Sequence, residues 1–266
     1  MKVAGTGLHG FIGEHLVRRL KENGHEIVFV PYQKVRLYRP EHFDYLFFLS
    51  AHGNHYQQTD AEKTYQANVS DLWRLLLTTR EVDYKAFIHF STSSVLLEKQ
   101  TMYSATKSAG EKICQGFRER FNKPVISIRP LSVYGIGEAD FHFIPTVIRN
   151  IMRKEVVRLG NGFHDWIWVD DLIDGVFAVL DNIDEIKGPV NIGTGIQTSN
   201  QGVYEKLVEK LDIPATKIDV GRMRDYDTNY WIADTSEIRK FGWGPKTSLD
   251  DGLDQVVKNY KEKYAG

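Results

Sequence analysis

The sequence is poor in several features that mark particular classes of protein. A single cysteine, Cys114, in 266 residues excludes an internal disulfide and a cysteine metal cluster. No apolar stretch approaches the ~20 residues that a membrane-spanning helix needs. The first residues lack the apolar core of a signal peptide. We therefore expect a cytoplasmic protein that does not enter a membrane.

A surplus of positive charge is also missing. The chain has 34 Lys and Arg residues against 35 Asp and Glu residues, which gives a formal net charge of −1. General nucleic-acid binding depends on a basic surplus that displaces counterions, so no nucleic-acid partner is expected. The nine histidines show no metal-ligand spacing, and no metal site is expected. Hydrophobic residues make up 42% of the chain, as in an ordinary globular protein with a substantial core.

Strand-like and helix-like segments alternate along the first half of the chain, and the pattern loosens after Pro130. This order predicts an α/β fold, a doubly wound parallel sheet with helices on both faces. We expect it to span 1–131, with returning elements near 164–195, and a smaller C-terminal lobe to span 132–266. The predicted strands are Lys2–Thr6, Glu26–Val30, Tyr45–Ala51, Ala86–Ser91 and Val125–Arg129. The predicted helices are Phe11–Asn23, Asp71–Arg80, Thr106–Arg120, Phe143–Met152, Leu172–Leu180 and Gln201–Leu211.

Three glycines lie between the first predicted strand and the first predicted helix, at Gly7, Gly10 and Gly13. Glycines with this spacing allow a tight turn, a close approach of the backbone to a pyrophosphate, and close packing of helix on strand. The N-terminus of the helix supplies N–H groups and the positive end of its dipole to the phosphates. The loop therefore predicts a sheet of the Rossmann type that binds a dinucleotide, and the alternative is a plain tight turn.

The residues after the second predicted strand bear on the choice between NAD and NADP. An acidic residue usually holds the adenosine ribose of NAD at this point, and the segment after Pro31 has none. Lys34 and Arg36 lie there instead. They are either partners of the 2′-phosphate of NADP or solvated loop charges, so the cofactor is NAD or NADP.

Tyr103 and Lys107 are four residues apart at the start of a predicted helix, so they share one helix face. A phenol has a pKa near 10, and a cation ~4 Å away contributes ~4 kcal/mol at an effective dielectric of ~20. That contribution would bring the pKa of Tyr103 near neutrality. Tyr103 could then exchange a proton with a substrate oxygen while a hydride moves to or from a nicotinamide. The alternative is a solvated helix pair.

Together these motifs resemble the extended short-chain dehydrogenase/reductase family, the NAD-dependent epimerases and dehydratases of nucleotide sugars. The resemblance implies an NAD(P)-dependent enzyme, a nucleoside-diphosphate sugar as its partner, a homodimer, and a C-terminal lobe that binds the substrate. The motifs that carry it are Thr6–Gly13, Asp44–Ala51, Asn68-Val69, Ser91–Val95, Tyr103–Lys107, Ile128–Gly135, His164–Asp171, Asn191–Gly195, Ala233-Asp234 and Gly242–Pro245.

The resemblance also assigns residue roles. It implies three catalytic residues: Thr92 as a substrate-binding hydroxyl, Tyr103 as general acid and base, and Lys107, which binds the nicotinamide ribose and lowers the pKa of Tyr103. The implied cofactor-binding residues are Gly7, His9, Gly10, Phe11, Ile12, Gly13, Lys34, Arg36, Ser50, Ala51, Asn68, Lys107 and Pro130. The implied substrate-binding residues are Thr92, Ser93, Tyr103, Ser132 and Arg224. Arg224 would grip the diphosphate as a planar fork, or else form a surface salt bridge.

Departures from the family pattern narrow the reaction. Sugar 4,6-dehydratases carry an Asp-Glu pair after the catalytic Thr, whereas this chain has Ser93-Ser94, so a dehydratase and the related decarboxylases are disfavoured. The Asn usual before Val-Tyr-Gly is Ser132. The resemblance then implies hydride transfer at C4 of the sugar, and a 4-epimerase is preferred. An NADPH-dependent 4-keto-sugar reductase, which the missing acidic residue favours, and a non-catalytic dinucleotide sensor are the alternatives.

Two predicted helices, Asp71–Arg80 and Thr106–Arg120, often pair across a dimer in this family. Leu75, Leu76 and Phe117 on those helices are therefore interface residues or core residues, and the sequence does not separate the two.

Overall fold

A computed structural model describes residues 1–31, 35, 38–39, 42–55, 57–214, 217–221 and 230–264. The chain divides into two compact units. The first comprises Met1–Pro130, Ile173–Ile192 and Glu237–Trp243, and the second comprises Leu131–Leu172, Gly193–Ser236 and Gly244–Gly266. The assignment of cofactor binding to 1–131 and substrate binding mainly to 132–266 stays a prediction.

The strands and helices of the described residues follow one another along the chain. The strands are β1 (Lys2–Thr6), β2 (Glu26–Phe29), β3 (Tyr45–Phe48), β4 (Ala86–Phe90), β5 (Val125–Pro130), β6 (Ser132–Tyr134), β7 (Val157–Leu159), β8 (Phe163–Trp168), β9 (Val190–Ile192), β10 (Gln197–Ser199) and β11 (Ile218–Val220). The helices are α1 (Phe11–Glu22), α2 (Ala61–Tyr65), α3 (Asp71–Thr79), α4 (Met102–Phe121), α5 (Phe143–Met152), α6 (Val169–Asp181), α7 (Asn200–Leu211), α8 (Ser236–Arg239) and α9 (Leu249–Tyr264).

The first unit is built on a parallel sheet that, within the described ranges, has six strands in the order β2-β1-β3-β4-β5-β9. Val3 of β1 lies opposite Ile27 of β2 on one side and opposite Tyr45 of β3 on the other. The strand order therefore reverses at β1, because β2 pairs with one edge of β1 and β3 pairs with the other. Ligands of such folds bind at the carboxyl ends of the strands where the order reverses. The predicted α/β fold with a doubly wound parallel sheet is confirmed.

Burial on both faces explains why the central strands are continuous apolar runs. Every residue of β4 is buried, and so are the last three residues of β3. Helix α3 turns Leu75 and Leu76, both fully buried, toward this core, and Phe117 of α4 is also buried. These three residues therefore belong to the hydrophobic core of the chain and are not exposed for a dimer interface.

Helix α4 begins earlier than predicted, at Met102 rather than Thr106, and helix α3 begins at Asp71 as predicted. Helix α4 begins at Met102 because Thr101 and Ser104 form a capping box. Thr101 Oγ1 accepts from Ser104 N at 3.1 Å, and Ser104 Oγ accepts from Thr101 N at 2.8 Å. The helix expected to begin at Asp71 is preceded by α2 and a π-helical turn over Gln66–Ser70. The cap places Tyr103 in the first turn of α4.

The second unit contains β10-β8-β6 and a pair of parallel strands, β11 and β7. A Cβ at Gly252 of α9 would clash with Tyr134 Oη, so the helix needs glycine where it meets this ring. The Asp165 carboxylate accepts from Thr194 N and Gly195 N at 2.8 Å each. None of the described helices combines the length and the apolar character needed to cross a bilayer.

Candidate active site

The glycine loop lies at the carboxyl end of β1, against the segment that follows β3. Gly7 has a φ of +71°, a conformation that favours glycine. A Cβ at Gly7 would lie 2.6 Å from Ser50 N. A Cβ at Gly13 would lie 2.5 Å from Gly7 O and 2.6 Å from Leu8 Cα. The turn and the close helix–strand packing predicted from the sequence therefore both depend on the absence of a side chain.

The start of α1 fits the pyrophosphate of a dinucleotide. Gly10 precedes the helix in an extended conformation and has no side chain to cap it. The N–H groups of Phe11, Ile12 and Gly13 begin the helix, where they have no carbonyl partner within it. These donors and the positive end of the helix dipole suit an anion, and the glycines leave room for one to approach the backbone.

A cavity of about 410 Å³ lies along α1 at the end of β2. The ring of His9 stacks on the ring of Phe29 at 4.4 Å between centroids and 12° between planes. Two cations and two anions line the cavity, so its charges balance. The full lining is Leu8, His9, Glu14, Val17, Arg18, Lys21, Glu22 and Phe29.

The Asn68 side chain forms hydrogen bonds with the segment that follows β3. The side chain is fully buried. Its Oδ1 accepts from His52 N at 3.0 Å, and its Nδ2 donates to His52 O and to Thr106 Oγ1, both at 2.9 Å. The amide thus ties the loop that contains Ser50 and Ala51 to helix α4. A direct contact between Asn68 and a cofactor stays a prediction.

Thr92 and Tyr103 meet at the carboxyl end of β4. Thr92 is extended and caps a 3₁₀ turn over Ser93–Leu96, with its Oγ1 accepting from Ser94 N at 3.2 Å. The Thr92 side chain lies near enough to Tyr103 to lower the pKa of its phenol. Gly53, in the loop after β3, approaches the same tyrosine: a Cβ there would lie 3.5 Å from Tyr103 Cβ. The structure therefore brings together two of the three predicted catalytic side chains.

The expectation that Lys107 brings the pKa of Tyr103 near neutrality is wrong for the chain by itself. Burial raises the pKa of Tyr103 to about 12, and the nearby Thr92 side chain opposes this only in part. Burial also lowers the pKa of Lys107 to about 8. Lys107 Nζ lies 3.3 Å from His89 Nε2, which is a partner the sequence did not suggest. The signal that could have revealed His89 is a histidine within an otherwise apolar strand.

The remaining predicted residues lie in several places. Ser93 is buried in the 3₁₀ turn, and Pro130 ends β5 opposite Ile192 of β9. In the second unit, Ser132 Oγ lies 3.1 Å from His164 Nδ1. Lys34, Arg36 and Arg224 lie outside the described residues. Within the part of the chain that is described, no group of three or more His, Cys, Asp or Glu residues is arranged to hold a metal ion.

Comparison with known proteins identifies the class. The model of the NAD dependent epimerase/dehydratase family matches residues 6–193, and the chain belongs to this family. The recognition made from the motifs is thereby confirmed, as are an enzymatic function and a nicotinamide dinucleotide as cofactor, since the family is one of NAD-dependent enzymes.

Two curated proteins illustrate how similar the chain is to individual relatives. A Bacillus subtilis protein named as an uncharacterized UDP-glucose epimerase, YtcB, is 27% identical over the full length of both chains. GDP-L-fucose synthase 1 of Arabidopsis thaliana is 31% identical over 176 residues, which cover 59% of this chain and 52% of that protein.

Solved structures support the fold. The UDP-glucuronic acid 4-epimerase of Bacillus cereus, solved with UDP-glucuronic acid and NAD, superposes with a TM-score of 0.84 at 23% identity, over 99% of this chain and 100% of that one. The UDP-glucose 4-epimerase of Thermotoga maritima, solved with UDP-glucose, gives a TM-score of 0.86 at 21% identity, with 99% of each chain covered.

Proposed function

We propose that the protein is an NAD-dependent 4-epimerase of nucleoside-diphosphate sugars. The observation that carries this proposal is that Thr92 and Tyr103 lie near each other at the carboxyl end of β4. It occurs in a chain of the epimerase family whose glycine loop fits a dinucleotide pyrophosphate. A dehydratase is disfavoured because Ser93 and Ser94 stand where such enzymes need an acidic pair.

The roles of the side chains follow from their chemistry. A bound nicotinamide would supply the group to which the sugar loses a hydride and from which it regains one. Tyr103 Oη takes the proton of the C4 hydroxyl and later gives a proton back to the same oxygen. Thr92 Oγ1 would hydrogen-bond the same reacting oxygen. Lys107, one turn along α4 from Tyr103, is the residue that would hold the nicotinamide ribose.

We infer that the substrate is a UDP-sugar. Support comes from YtcB of Bacillus subtilis, which matches over the full length and is named for UDP-glucose. The predicted diphosphate contact from Arg224 and the predicted sugar contacts from Ser93 and Ser132 remain part of this proposal.

The charges at the end of β2 support NAD over NADP. Arg18 and Lys21 share the cavity there with Glu14 and Glu22, so the described lining offers no surplus positive charge to a 2′-phosphate. An NADPH-dependent 4-keto-sugar reductase remains the second candidate. The match to GDP-L-fucose synthase 1 and the basic residues Lys34 and Arg36 of the sequence favour it.

The test begins with the dinucleotide. We would denature the purified protein, identify any released dinucleotide by mass spectrometry, and otherwise follow its melting temperature with NAD, NADH, NADP and NADPH, since a ligand of the native state raises it. Retained NAD supports the epimerase, and stabilisation mainly by NADPH supports the reductase. A protein that none of the four stabilises contradicts both candidates.

Turnover is then measured by incubating the protein with UDP-glucose or UDP-glucuronic acid and separating the 4-epimers by chromatography. Tyr103→Phe should lower turnover by about 10²- to 10⁴-fold and leave NAD binding in place. The matched control is Tyr264→Phe on α9, which should retain full activity. Full activity of Tyr103→Phe contradicts the mechanism, and turnover by the wild type rejects a non-catalytic sensor.

We also propose that the enzyme is a homodimer. With Leu75 and Leu76 committed to the core, α3 still exposes Trp73 and Leu77, which lie one turn apart on the same helix face. Trp73→Glu should shift the sedimentation coefficient toward that of a monomer. A cytoplasmic location remains a prediction from the sequence.

A further inference from the structure

A chain of polar side chains crosses the otherwise apolar layer between the sheet and helix α4. His89 of β4 and Ser127 of β5 are register partners, and His89 Nδ1 lies 3.0 Å from Ser127 Oγ. His89 Nε2 lies 3.3 Å from Lys107 Nζ, and Cys114 of α4 lies near Ser127. All four residues are buried, and both His89 and Lys107 are 0% exposed.

The hydrogen bonds among these buried side chains run in one direction, from Lys107 to His89 and from His89 to Ser127. An ammonium only donates, so His89 Nε2 must accept from Lys107. A neutral imidazole carries one N–H, which is then on Nδ1 and donates to Ser127 Oγ. Burial and the adjacent Lys107 ammonium both hold the pKa of His89 well below its ordinary value, which keeps the ring neutral.

The fold fixes the His89 ring on several sides. A Cβ at Gly110 of α4 would lie 3.1 Å from His89 Cε1, so glycine makes room for the ring. The ring of Phe48 lies 6.1 Å away between centroids. Glu111 of α4 is the acidic group that acts on Lys107, and it is itself paired with Arg129 of β5 at 2.5 Å. Cys114 faces the same layer, and burial raises the pKa of its thiol to about 12, so it stays neutral.

We propose that His89 is a positioning residue for Lys107: its Nε2 accepts one of the three ammonium hydrogens, which orients the other two toward the cofactor. The inference rests on the proposed function, because it takes Lys107 as a contact of the nicotinamide ribose. The accepted hydrogen bond also favours the charged form of a lysine that burial otherwise drives toward neutrality.

The experiment measures NAD affinity by isothermal titration calorimetry between pH 6 and pH 10. The protein is first treated with charcoal to remove bound dinucleotide. For the wild type, affinity should fall as the pH rises through the pKa of Lys107, which is about 8. His89→Leu removes the acceptor, and the midpoint should fall by about one pH unit or more, with a several-fold loss of affinity at pH 7.5. His89→Gln keeps an acceptor near the position of Nε2 and should restore the midpoint.

Two further variants separate positioning from general damage to the core. Leu75→Ala lowers stability elsewhere in the core and should leave the midpoint unchanged. Ser127→Ala removes the partner of His89 Nδ1 without opening a large cavity, so it serves if His89→Leu does not fold. It should lower the midpoint in the same direction by a smaller amount.

The outcomes are distinguishable. A wild-type midpoint that neither His89→Leu nor Ser127→Ala moves overturns the positioning role and leaves the proposed function standing. A His89→Gln variant that behaves like His89→Leu also overturns it. A wild type that binds no NAD at any pH overturns the proposed function, and this inference with it.

Discussion

Replacing the buried cation at Lys107 should make the cofactor-free protein more stable while abolishing its activity. Lys107 is fully buried inside α4, and burial lowers its pKa from 10.5 to about 8. Each pKa unit corresponds to about 1.4 kcal/mol, so the buried ammonium costs about 3 kcal/mol below pH 8. Lys107→Met removes this cost and leaves His89 Nε2 without its donor, which costs about 1 kcal/mol. The expected net gain in the free energy of unfolding is about 2 kcal/mol.

The gain should depend on pH with a definite sign. Between the folded pKa of about 8 and the unfolded value of 10.5, the unfolded chain holds a proton on Lys107 that the folded chain has released. The wild type therefore gains stability relative to Lys107→Met as the pH rises through this window. The advantage of the variant should be complete below pH 8 and lost above about pH 10.5.

The assay is guanidinium denaturation followed by tryptophan fluorescence, without added dinucleotide, at several values between pH 6.5 and pH 10.5. The matched control is Lys112→Met on the exposed face of the same helix, which should change stability by less than about 0.5 kcal/mol. A Lys107→Met variant that is less stable than the wild type at pH 7, or whose advantage does not change with pH, would refute this reasoning.

Three further predictions concern the glycine loop and the helix that follows β4. Gly13→Ala should weaken NAD binding at least tenfold by calorimetry, because its Cβ would lie 2.5 Å from Gly7 O; unchanged affinity would contradict the close packing. Gly116→Ala on α4 meets nothing within 4 Å and should raise the unfolding free energy by about 0.5–1 kcal/mol in denaturation. Arg129→Met leaves the buried Glu111 carboxylate without its ion-pair partner and should lower the free energy of unfolding by about 3–5 kcal/mol. A loss of less than about 1 kcal/mol would contradict a stabilising role for this ion pair.

Local patterns allowed much of the fold to be predicted. The first strand, the glycine loop and the first helix lie within residues 2–22, and the structure has them where the sequence put them to within a residue. Short-range signals of this kind depend on spacing along the chain. The start of α4 at Met102 does not follow from apolar spacing, because the capping box of Thr101 and Ser104 sets it. The C-terminal helix α9 is a further element that the sequence did not predict.

For the candidate site, too, some properties follow from the sequence and others only from the tertiary structure. The sequence by itself determined which groups can do chemistry, because a Tyr and a Lys four residues apart on one helix follow from the chain alone. Their surroundings come from distant segments: β4 lies beneath α4 and brings His89 within 3.3 Å of Lys107 across 18 residues of chain. Burial beneath that packing raises the pKa of Tyr103 and lowers the pKa of Lys107. Protonation states depend on solvent and neighbours in space, so only the tertiary structure could decide them.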